Sequence, residues 1–140
     1  MTPNRFAVGM YILGALSALL SVALAALTSH GLANLAPTGD AAVEWFKIAT
    51  DFQMNHALGL ILVTAISEKL DAGRPRMLMR AAAVLLGAGA FLFPVSLYSL
   101  SFGGPVFFAP FGGIAAMAGW ALFAAAAGLA LKQRPDVSVD

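Results

Sequence analysis

The 140-residue chain has no cysteine, 60% hydrophobic and 11% charged residues, and a mean hydropathy of +0.84. Soluble domains carry about 25% charge and roughly 45–50% apolar residues, so the composition excludes a water-soluble monomer. The missing cysteines also exclude disulfide scaffolds, thiolate metal sites and cysteine nucleophiles, and a net charge of +1 leaves no basic footprint for nucleic acid.

An all-α membrane protein is expected, because isolated strands cannot satisfy their backbone groups in lipid. About twenty apolar residues cross the roughly 30 Å hydrocarbon core. Four segments approach that length, at about residues 6–28, 52–67, 77–100 and 110–131. Together they read as a four-transmembrane-helix bundle forming one domain over residues 1–140. The first segment, with Arg5 before it and Ala23-Leu24-Ala25 near its end, has the outline of a secretory signal. Its apolar run is too long for a signal core, so a retained helix is expected.

The loop after the first span opens with His30-Gly31-Leu32, where Gly31 suits a left-handed helix end. Pro37-Thr38-Gly39-Asp40 is turn chemistry, and Thr38 or Asp40 is placed to cap a helix from about Ala41. Along Ala41–Asp51 apolar Val43, Phe46, Ile48 and Ala49 alternate with charged Glu44, Lys47 and Asp51. This predicts a short amphipathic helix before the second span, lying in the membrane interface with Trp45 as its anchor, or else a two-turn extension of that span.

Lys and Arg set orientation. With four spans, the N-terminus, the second loop and the C-terminus share one side. That side holds Arg5, Lys69, Arg74, Arg76, Arg80, Lys132 and Arg134, seven of the eight basic residues. Both termini are therefore expected in the cytoplasm. Gly73 and Pro75 mark the turn of the second loop, making the second and third spans antiparallel neighbours. Arg74, Arg76 and Arg80 are candidates for contact with anionic lipid, although setting the topology explains them equally well. The third loop, Ser101 to Ala109, carries no charge.

Helix association in lipid rests on close packing and hydrogen bonds, so small residues should mark the contacts. Gly14, Ser17, Ser21 and Ala25 form such a stripe on the first span, Ala83, Gly87 and Ala90 on the third, and Gly112, Ala115 and Gly119 on the fourth. Pro94 removes a backbone donor inside the third span and predicts a bend there, with Ser96 and Ser99 placed to bond the freed carbonyls.

Polar groups within spans default to functional hypotheses. His30, Asp51, Gln53, Asn55, His56, Ser96 and Tyr98 are expected to cluster near the non-cytoplasmic face, with His30 and His56 at comparable depth on consecutive helices. Gln53 and His56 share one helix face, Asp51 and Asn55 another. Three uses compete for this cluster. A proton relay or ligand site would use His56 with Asp51, and a metal or haem site would use two histidines without further ligands. The favoured third is a structural hydrogen-bond network, since most interhelical polar bonds hold helices together. No nucleophile–base set and no phosphate-binding glycine loop is present, so neither catalysis nor a cofactor is expected.

His30-Gly31-Leu32, Phe52-Gln53-Met54-Asn55-His56-Ala57-Leu58, Phe93-Pro94-Val95-Ser96-Leu97-Tyr98 and Ala109-Pro110-Phe111-Gly112-Gly113 with Gly119-Trp120 resemble, in order, the signatures of a small bacterial inner-membrane family called domain of unknown function 423. Leu27-Thr28-Ser29 replaces the family's small-residue run before His30, and Pro94 stands where a serine–glycine pair begins. The resemblance implies a four-span inner-membrane protein without an established activity, and carries over His30, Gln53, His56, Ser96 and Tyr98 as its polar positions. The expected role is an accessory or stabilising subunit of a larger membrane assembly. Its partners would be lipids and another membrane protein or a second copy. The alternative is binding or transport of a small molecule, lipid or ion through the polar cluster.

Overall fold

The computed structural model describes residues 4–132, so Arg134 and the C-terminus that enter the orientation argument lie outside the described residues. The secondary structure of these residues is helical throughout: α1 (Arg5–Ser29), α2 (Leu32–Leu35), α3 (Asp40–Lys69), α4 (Arg74–Ser101) and α5 (Ala109–Lys132) are joined by turns and loops, with no strand among the described residues. Three helices, α1, α4 and α5, are long and apolar enough to cross a membrane. α3 has the length, but Gln53, Asn55 and His56 dilute its apolar run.

Local chemistry explains the boundaries. Asn4 Oδ1 accepts the Phe6 amide at 3.1 Å and starts α1. Gly31 has the expected left-handed φ of 102° and turns the chain into α2. α4 ends in a Schellman motif: Gly103 has φ 78°, its amide bonds the Leu100 carbonyl at 2.9 Å, and the Gly104 amide bonds the Ser99 carbonyl at 2.9 Å.

Three local expectations are corrected. No separate amphipathic helix precedes the second span, because α3 runs unbroken from Asp40 to Lys69. Ala42, Phe46, Ala49 and Thr50 are buried along its first three turns, so tertiary packing holds that segment in line. Neither Thr38 nor Asp40 caps α3: Gly39 takes the N-cap, and Thr38 Oγ1 instead donates to the Ser101 carbonyl at 2.6 Å, tying the first loop to the end of α4. Pro75 is not in the turn but in the first turn of α4, where its missing amide proton is no loss.

Each long helix packs on its neighbours in sequence, in the order α1, α3, α4, α5; α1 meets α4 only marginally. Small residues set the close approaches, as expected for lipid. Gly14 on α1 faces the Ile61 side chain and the Ala57 carbonyl. Gly89 on α4 faces Ala116 and the Gly112 carbonyl, while Gly112 and Gly119 on α5 face Phe93 and Leu86. The α5 stripe is Gly112, Ala116 and Gly119, with Ala116 buried in place of the expected Ala115. Leu60, Val63, Met79, Leu86 and Ala126 fill the core between α3, α4 and α5.

Candidate functional site

Helix register places the polar residues. Ser21 Oγ donates to the Thr50 carbonyl at 2.9 Å, and Gln53 Nε2 donates to the Ser17 carbonyl at 3.1 Å and lies 3.3 Å from Ser17 Oγ. α1 and α3 are therefore antiparallel, with Ser17, the middle residue of α1, beside Gln53. The same register sets His30 level with the start of α3, about fifteen residues or roughly 22 Å along the axis from His56. The two histidines do not share a depth. His30 lies at the end of the bundle where α1 finishes, whereas Tyr98 reaches Gln53.

The expected cluster is resolved into three separate faces of α3. On the first, Tyr98 Oη donates to Gln53 Oε1 at 2.7 Å, so Gln53 joins α4 to α1 through Ser17. Gln53 is buried, and its amide uses both its oxygen and its nitrogen. Phe46 packs on Tyr98 with ring centroids 4.8 Å apart and holds the phenol in place. Ser17 is the member that sequence reading missed as a polar partner, because it reads there as one of a stripe of small residues.

On the second face, the His56 ring stacks on Phe52 at 3.9 Å, and Phe52 stacks on Phe93 at 4.2 Å. His56 Nδ1 lies 2.7 Å from the Phe52 carbonyl. A carbonyl only accepts, so Nδ1 is the donor in this contact. Trp120 stands 6.2 Å away, in space that Gly59 leaves for its indole.

The third face carries Asp51 and Asn55. Both side chains are exposed, one turn apart, and make no side-chain hydrogen bond among the described residues. Leu58 and Leu62 continue this outward face. His30 is likewise exposed at the end of α1. Ser96 is 2% exposed, yet its hydroxyl has no partner among the described residues and bonds no carbonyl freed by Pro94. No three of the described His, Asp and Glu residues converge as a metal site.

At the opposite end, Arg76 and Arg80 each donate from Nη2 to Glu68 Oε1, at 3.2 and 2.9 Å. Glu68 holds a proton less readily than usual, first because of the Arg80 hydrogen bond, against the opposing effect of desolvation. The Arg80 guanidinium lies 5.1 Å over the Phe6 ring. Arg74 is exposed and outside this group. Glu68, the acid that organises the arginines, carries no signal of its own in the sequence.

Apolar helices of this length, joined by interhelical polar bonds and small-residue contacts, define a helical integral membrane protein. Residues 24–119 match the family described as Protein of unknown function (DUF423), and the chain belongs to that family. It is 36% identical over 121 residues to the UPF0382 membrane protein YwdK of Bacillus subtilis, covering 83% of this chain and 93% of that one. It is also 34% identical over 114 residues to the UPF0382 membrane protein SH2409 of Staphylococcus haemolyticus, covering 78% and 86%. No solved structure matches the chain.

Proposed function

We propose that this protein is a four-span, non-catalytic subunit of the bacterial inner membrane, with both termini in the cytoplasm, that associates laterally through the outward face of α3. The carrying observation is the exposed side chain of Asn55 inside the second span, one turn from the exposed Asp51 at its edge. Ionisable and amide side chains within membrane spans almost always face protein or a water-filled cavity, because lipid offers them no partner. By the α1–α3 register, Asn55 lies level with the middle of α1. Another chain or a second copy would supply the missing hydrogen bonds.

The cysteine-free chain makes the test direct. Asn55→Cys should cross-link to a neighbour in native membranes, while Leu19→Cys, 66% exposed on α1, should not. Asn55→Leu should weaken the association about 3- to 30-fold, the equivalent of one interhelical bond of roughly 0.6–2 kcal/mol. Equal cross-linking at both positions overturns the reading. For topology, an impermeant thiol reagent outside the cell should label Val106→Cys and spare Ala72→Cys.

A second reading, binding of an apolar molecule or lipid, is favoured by a groove of about 190 Å³ between α1 and α4. Leu13, Leu16, Gly87 and Phe91 line it, and Ser17 and Gln53 border it.

A further inference from the structure

The groove beside Gln53 lies on the seam between α1 and α4. Both helices pack on α3 and hardly on one another. A second cleft, of about 330 Å³, lies on the same seam at the end where α1 and α4 begin. It is lined by Asn4, Gly73, Arg76, Met77 and Arg80. Arg80 over Phe6 and Leu13 beside Gly87 show that α1 and α4 run side by side in the same direction. From Arg80 to Phe91 the seam rises about eleven residues, roughly 16 Å, which is half of a 30 Å hydrocarbon core.

The electrostatics of the lower cleft are unbalanced. Two guanidiniums share one oxygen of Glu68, so the half-buried group keeps a net positive charge. The Nε atoms of both arginines are buried and have no partner among the described residues. The start of α4 deepens the imbalance, since it has no acidic residue in its first turn and no capping side chain. The positive end of the helix dipole therefore adds to the charge of Arg76 and Arg80, against the usual preference for anions there. One phosphate in the cleft would answer that charge.

We infer that the α1–α4 seam binds one anionic phospholipid, its phosphate held by Arg76 and Arg80 and one acyl chain laid along the seam to the groove at Gly87 and Gln53. This deepens the groove reading above, to which it adds the headgroup. Phe6 and Met77, the latter 64% exposed, flank the passage from headgroup to chain, and the Leu13, Leu16 and Phe91 side chains line its upper end.

The experiment is native mass spectrometry of the full chain, released from detergent with phosphatidylglycerol, phosphatidylcholine or inorganic phosphate added. Phosphatidylglycerol should bind at one copy, at least tenfold more tightly than phosphatidylcholine. Arg76→Gln should lose that preference while Glu68 keeps its bond to Arg80. Gly87→Phe, which fills the groove and leaves the arginines alone, should weaken both lipids about equally. Circular dichroism confirms that each variant is helical, and Arg80→Gln, which leaves Arg76 on Glu68, serves with the same expected loss if Arg76→Gln does not fold. Equal affinity for the two phospholipids, or a preference unchanged in Arg76→Gln, overturns the headgroup assignment and leaves the groove reading standing. Binding insensitive to Gly87→Phe overturns the path of the chain. Inorganic phosphate competing fully with phosphatidylglycerol overturns the lipid as occupant in favour of a free phosphate.

Discussion

Gly112 and Gly113 are adjacent on α5, yet a methyl group at each should have opposite consequences. A Cβ at Gly112 would lie 2.8 Å from Phe93 Cβ and 2.9 Å from Phe93 Cα, whereas one at Gly113 would meet nothing within 4 Å. Carbon atoms pack at about 3.5–4.0 Å. The Gly112 methyl therefore demands a retreat of roughly 0.6–1 Å, and part of the obstacle is backbone, which no rotamer change can move. Overpacking of this kind costs about 1–3 kcal/mol. Gly→Ala also raises helix propensity by about 1 kcal/mol, equally at both sites. The difference between the two variants thus isolates the steric contribution: Gly112→Ala should be about 1–3 kcal/mol less stable than Gly113→Ala. Unfolding in a detergent titration, followed by the fluorescence of Trp120 on the same helix, measures that difference. Equal stabilities would show that α4 and α5 do not meet at Phe93, and the close-packed α4–α5 contact would be wrong.

Tyr98→Phe removes the 2.7 Å bond to Gln53 Oε1 and should destabilise the protein by about 1 kcal/mol in the same titration. Gln53→Leu should abolish any further effect of Tyr98→Phe, because the two share one bond. Ser96→Ala should leave stability unchanged or raise it by up to about 1 kcal/mol, since the hydroxyl is buried without a partner; a loss instead would reveal a bond. The Glu68 carboxyl is held below its ordinary 4.5, chiefly by Arg80. Its contribution is therefore complete above that pH and is lost as pH falls below it through the folded value. Unfolding measured between about pH 6 and pH 3 should show this loss in the native chain and a flatter acid limb in Glu68→Gln.

What the sequence makes legible follows the length scale of the signal. Apolar runs near twenty residues locate α1, α4 and α5 to within a few residues, because the bilayer imposes that length. Gly14, Gly87, Gly112 and Gly119 are legible as contacts, because only small residues permit close helix approach. The polar positions are legible as a set but not as an arrangement. His30 and His56 sit on consecutive helices, which suggests proximity, yet residues 31–39 form α2 and a turn before α3 starts. α3 then runs about fifteen residues, roughly 22 Å, before it reaches His56. Glu68 is invisible as the centre of the arginine pair, because its partners lie eight and twelve residues away across a turn.

α3 is the least apolar of the long helices and holds the fold together, and these two properties have one cause. A helix with polar groups on every side is stable in lipid only when each side is covered. α1 and Tyr98 cover the Gln53 side with three hydrogen-bond contacts. α4 and α5 cover the Phe52 and His56 side, Phe93 stacking on Phe52 and Trp120 standing tilted beside His56. The remaining side carries the exposed Asp51 and Asn55, with no helix of the described residues upon it. The logic that explains the first two contacts, applied to the third, supports the lateral association proposed above. For that reason the outward face of α3, and not the more apolar α1 or α5, is where association should be sought.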